Sequence, residues 1–144
     1  MTKIIIVGPA SPLRGGISDF NEALAKSFEE KGYLVEIISF SLQYPKFLFP
    51  GKSQNRVEQS EDFTFKISPL INSINPISWW RTAKYIKRKD PTKVFIRFWM
   101  PFFAPCLGII GGYLKRNKFA VFGIVDNAIA HEKRLGDTML VNYF

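Results

Sequence analysis

The strongest constraint on the fold sits at the start of the chain. After Lys3, the residues Ile4, Ile5, Ile6 and Val7 form a continuous apolar, β-branched run with no polar alternation. A strand apolar on both sides belongs in the middle of a parallel sheet covered by helices on both faces. A glycine-bearing loop follows over residues 8–16. Then Ile17, Phe20, Leu24 and Phe28 recur at helical spacing, with Glu22, Lys26, Glu29 and Glu30 off that stripe. Gly32 stands where a helix ends at its C′ position. Residues 33–40 read as the second strand, so the opening is a βαβ unit.

The alternation continues. Residues 41–61, with Pro45, Pro50, Gly51 and many polar side chains, read as a long mobile loop. A short strand is predicted over 63–67, a helix over 76–89, a strand over 93–98, a helix over 102–115 and a strand over 119–125. A loop through 126–131 and a helix over 137–144 complete the pattern. The fold class is therefore α/β, a doubly wound, Rossmann-like parallel sheet in one domain over residues 1–144. Such sheets bind ligands beyond the carboxyl ends of their strands, where the strand order reverses. The loops 8–16 and 126–131 both follow strands at that edge.

Composition narrows the options. At 144 residues and 47% apolar, the chain has room for one domain with a proper core. A single cysteine, Cys106, excludes an internal disulfide framework and a cysteine metal cluster, and fits a reduced cytoplasmic compartment. Residues 1–7 are too short an apolar opening for a signal peptide. Residues 98–114 carry no charge, but a membrane span needs about 20 apolar residues, and this run contains Pro101, Pro105, Gly108, Gly111 and Gly112. A buried strand end followed by a packed helix is the better reading. The net charge of +8 is clustered: Arg81, Lys84, Lys87, Arg88, Lys89 and Lys93 crowd one segment, which points to a polyanion or an anionic membrane. No nucleic-acid-binding module is recognisable, so nucleic acid is not the expected partner.

The loop 8–16 is neither the dinucleotide fingerprint nor a P-loop. It carries Pro9 and Pro12, and no Gly-Lys-Ser/Thr follows. Gly15 and Gly16 stand at a helix start, where unpaired amides and the helix dipole favour an anion; the alternative is that they only permit a tight helix entry. His131 is the sole histidine, in the segment Asp126, Asn127, Ala128, Ile129, Ala130, His131, and offers either histidine chemistry at that edge or an ordinary surface hydrogen bond. One histidine without a cysteine cluster gives poor support for zinc. Glu22 and Glu30 repeat a spacing used elsewhere by glycosyltransferases, but they fall on the outward part of the first helix and read as a solvated face. Trp79 and Trp80, beside the basic residues Arg81, Lys84 and Arg88, read either as an interfacial anchor or as a core residue and its neighbour on an ordinary basic helix.

Together these segments resemble a known family. The opening strand, the proline-containing loop ending Gly15, Gly16, Ile17, the helix with Leu24, the stretch from Lys31 to Ile37 and the segment from Asp126 to Glu132 are similar to the N-terminal domain of retaining GT-B glycosyltransferases of the family 4 type. That resemblance implies transfer of a sugar from a nucleotide-sugar donor to a glycan or lipid-linked acceptor with retention. It implies that Gly15 and Gly16, with Asp126 and Asn127, lie at the donor diphosphate and sugar, and that His131 lies near the transferred sugar in a catalytic role. It implies no cofactor and no essential metal. The family's C-terminal donor domain, with its glutamate pair, is absent from these 144 residues, so the isolated domain is expected to be inactive. A non-catalytic anion-binding module and a membrane-recruitment module, peripheral at the inner face of the membrane, are the competing readings.

Overall fold

The computed structural model describes residues 1–13, 15–47 and 63–126. They run β1 (Lys3–Val7), α1 (Gly16–Glu30), β2 (Leu34–Leu42), β3 (Lys66–Asn72), α2 (Pro76–Lys89), β4 (Lys93–Phe98), a 3-10 turn (Pro101–Phe103), α3 (Ala104–Arg116) and β5 (Val121–Val125). All neighbouring strands pair in parallel, in the order β3-β2-β1-β4-β5. This is the doubly wound α/β sheet expected from the sequence, and the order reverses between β1 and β4.

The apolar run of β1 feeds two cores, because successive side chains in a strand point to opposite faces. Ile4 and Ile6 join Ala25, Val35, Ile37 and Phe65 on the side covered by α1. Ile5 and Val7 join Ile38, Ile71, Ile86, Ile96, Leu107 and Ile110 on the side covered by α2 and α3. Gly111 lets α3 approach the sheet: a Cβ there would lie 3.1 Å from Ile96 Cδ1. Asn75 caps α2, its side chain accepting from the Ile77 amide at 3.0 Å, with Pro76 in the first turn. Lys87, Arg88 and Lys89 occupy the last turn, where the helix dipole favours cations.

Several expectations need correction. The third strand is Lys66–Asn72 rather than 63–67; it carries Pro69, and as an edge strand it tolerates a residue with no amide to donate. The fifth begins at Val121, the second runs on through Leu42, and a 3-10 turn precedes α3. Phe20 is 49% exposed, whereas Glu22 is buried at 7%, so Glu22 is not on a solvated face. The buried stripe of α1 runs through Ser18, Asn21, Glu22 and Ala25 instead. Trp79 is no surface residue: it is 7% exposed and its Nε1 donates to the Asn72 carbonyl at 2.7 Å. Most of the expected long loop (its residues 48–61), the expected last helix (137–144), and Arg14, Asn127 and His131 lie outside the described residues.

The charge-free stretch is a packed helix as expected, and among the described residues no helix is long and apolar enough to cross a membrane. Its thiol follows suit. Cys106 is 1% exposed, and burial pushes its thiol up to about 12. The folded state thus keeps a proton that the unfolded thiol gives up near pH 9, so this group lowers stability as pH rises from about 9 towards 12. Iodoacetamide at pH 8 is expected to alkylate Cys106 in native protein at least about a thousandfold more slowly than in urea. Equal rates, read by mass spectrometry, would show that α3 does not pack as described.

Candidate functional site

The carboxyl ends of β1 and β4 flank the point where the strand order reverses, and the loop after β1 is built there in detail. Gly8 donates its amide to the Ile38 carbonyl at 3.0 Å. A Cβ on Gly8 would fall 2.7 Å from Asn21 Nδ2 and 3.0 Å from Arg97 Cβ, so only glycine fits where loop, helix and strand converge. The Ala10 amide donates to Ser39 Oγ at 3.1 Å and the Ser11 amide to Glu22 Oε1 at 2.5 Å. Asn21 Nδ2 donates to the Pro9 carbonyl at 2.9 Å, and Ser18 Oγ to the Leu13 carbonyl at 2.9 Å. The Ser11–Pro12 peptide bond is cis. Ser18, Asn21 and Glu22 explain one another: spaced at i, i+3 and i+4 they share one helix face, and that face satisfies buried backbone groups of the loop.

At the mouth stand the two glycines. Gly15, the N-cap of α1, has φ +131°, a backbone region that glycine alone adopts easily, and offers no side-chain cap. Gly16 has no such backbone requirement, and a Cβ on either residue would meet nothing within 4 Å. The start of α1 therefore opens onto space, with Asp19 exposed in the same turn.

Arg97 was not singled out in the sequence. It lies in β4 with its side chain only 6% exposed. Its Nε donates to Asp126 Oδ2 at 2.7 Å and its Nη2 to Asp126 Oδ1, a bidentate pair. Its guanidinium carbon lies 4.2 Å from the centre of the Phe20 ring. Its Nη1 is buried without a hydrogen-bond partner among the described residues, as are Asn21 Oδ1 and Ser11 Oγ. The available signal is a lone charge inside the otherwise apolar run 94–98, next to the strand's last residue at the ligand edge.

The loops after β1 and β5 do not follow neighbouring strands, because β4 stands between them. Arg97 spans the gap, reaching Gly8 and Phe20 on one side and Asp126 on the other. Gly15, Gly16 and Asp126 thus belong to one sheet edge, with both Asp126 oxygens engaged by Arg97. On the other face of the same edge, Phe40, Trp99, Phe103 and Tyr44 pack together, mostly edge to face; Trp99 Nε1 donates to the Tyr44 hydroxyl at 3.3 Å, and burial raises the Tyr44 phenol above its ordinary value. Arg81, Lys84 and Arg88 lie on the exposed side of α2, remote in the chain from the start of α1. Among the described residues no group of three or more His, Cys, Asp or Glu could hold a metal. Compared with protein-family models and with curated proteins, the chain matches none.

Proposed function

We propose that this is the acceptor-side domain of a retaining glycosyltransferase of the GT-B type, with the diphosphate of a nucleotide-sugar donor meeting the start of α1. One observation carries the reading. Gly16 is a glycine that neither backbone strain nor packing requires, at an uncapped helix start that opens onto space, on the same helix whose Phe20 ring lies over the buried Arg97 guanidinium. The first-turn amides and the helix dipole favour a phosphate there. Charge that builds up on the leaving diphosphate would be stabilised by fixed donors, which need no reorganisation as the glycosidic bond breaks. By sequence position His131 is assigned to the transferred sugar and Asn127 to donor binding. The acceptor is a glycan or a lipid-linked sugar.

The test is a titration of isotopically labelled protein with nucleotide sugars, followed by amide and arginine side-chain NMR. Shifts are expected at Gly15, Gly16, Ile17 and Arg97 Nε, with dissociation at about 1 mM or weaker, since most of the donor site belongs to another domain. Gly16→Val should abolish them without unfolding the protein. Unmoved resonances at saturating donor would refute the site. Micromolar binding of one nucleotide sugar would instead make this the principal donor domain. Equal shifts with plain pyrophosphate and no preference for any sugar would favour a non-catalytic anion-binding module.

A further inference from the structure

The outward stripe of α2 differs from an ordinary solvated face. At about 100° per residue, positions 77, 80, 81, 84 and 88 fall within roughly a third of the helix circumference. Ile77 is 60% exposed and Trp80 50%, and Ile74, just before the helix, 45%. Arg81, Lys84 and Arg88 complete the stripe, and α2 contains five basic residues and no acidic one. The helix dipole accounts for cations in the last turn but not for Arg81 and Lys84 in the middle. Lys84 Nζ sits 3.8 Å from the centre of the Trp80 ring, so the aromatic and the cation form one amphipathic unit. Between β3 and α2 runs a groove of about 380 Å³, whose lining includes Leu70, Ile77, Arg81 and Arg88.

Parallel topology orients this stripe. Because β3 ends at Asn72 on the edge where β1 and β4 also end, Ile74 and Ile77 lie at the edge that holds the Gly15–Gly16 crevice. The basic residues run back from there along the helix. We propose that α2 seats the protein on an anionic lipid surface, with Ile74, Ile77 and Trp80 entering the interface and Arg81, Lys84 and Arg88 meeting headgroup phosphates, so that the crevice opens beside the bilayer. Exposed branched aliphatics at the head of a basic stripe suit lipid and serve no purpose against a nucleic-acid backbone. Lipid binding does not depend on the glycosyltransferase reading; only the inference that the acceptor is lipid-linked rests on it.

Co-sedimentation with phosphatidylcholine vesicles, with and without phosphatidylglycerol, tests the surface. Binding is expected to the anionic vesicles alone and to weaken with salt. Each basic residue contributes about fivefold in partition, so the triple replacement Arg81→Glu, Lys84→Glu and Arg88→Glu should reduce binding by at least roughly a hundredfold. Brominated acyl chains should quench indole fluorescence, and Trp80→Phe should remove that quenching, because Trp79 and Trp99 are buried. A fluorophore on Ile74→Cys should report insertion and one on Lys93→Cys, at the opposite sheet edge, should not; buried Cys106 stays unlabelled near neutral pH. No binding to anionic vesicles at low salt, equal binding by the triple variant, quenching that survives Trp80→Phe, or a preference for duplex DNA over vesicles would each overturn the proposal.

Discussion

Replacing Asp126 with alanine is expected to cost about 3 kcal/mol of stability, although Asp126 is a loop residue at the end of an edge strand. The loss falls on its partner. Arg97 is 6% exposed and would remain buried, with Nε and Nη2 stripped of their acceptors and Nη1 already without one among the described residues. An uncompensated buried guanidinium is far costlier than the net worth of the pair. Arg97→Met should cost less, because the Asp126 side chain is 29% exposed and can turn to water. The double variant should therefore be more stable than Asp126→Ala alone. Urea unfolding measures all three; a loss below about 0.5 kcal/mol for Asp126→Ala would mean that the pair does not form in solution.

Gly8→Val should be comparably damaging, at about 3 kcal/mol and a fall in Tm of about 10 °C. A side chain there collides with Asn21 Nδ2 at 2.7 Å and Arg97 Cβ at 3.0 Å, and neither can retreat freely. Asn21 is tied to the Pro9 carbonyl, Arg97 is fixed by its strand, and the Gly8 amide is bonded to Ile38. Gly16→Val gives the contrast, because its side chain would enter open space and should change stability by no more than about 0.5 kcal/mol. Calorimetry showing equal Tm values for the two variants would contradict the convergence of loop, helix and strand at Gly8.

The two contrasts also show what a linear sequence reveals and what it hides. Residues 3–7, 76–89 and 93–98 announced their elements, because apolar runs and helical spacing act locally and the termini carry plain signals such as Asn75-Pro76. Residues 66–72 were obscured by Pro69, whose acceptability depends on lying at a sheet edge, a tertiary fact. The loop 8–16 and its glycines were visible as a feature of the ligand edge. The clamp behind it was not, because a search for apolar stripes passes over Ser18, Asn21 and Glu22, whose burial is explained only by the loop carbonyls and amides they meet. Arg97 was hidden for the same reason: its partner lies 29 positions away.

That clamp has a consequence for how tightly a small anion can be held. Fixing a flexible backbone costs about 1–2 kcal/mol per residue, and a loop that orders only on ligand arrival subtracts this from affinity. Here Ser39, Asn21, Glu22 and Ser18 fix the residues after β1 during folding, through partners that any incoming ligand leaves untouched. The ordering entropy is met before encounter, so a ligand that docks at the first turn of α1 is spared that part of the cost of binding. A group as small as a diphosphate, with little surface to bury, could be recognised under those terms and few others.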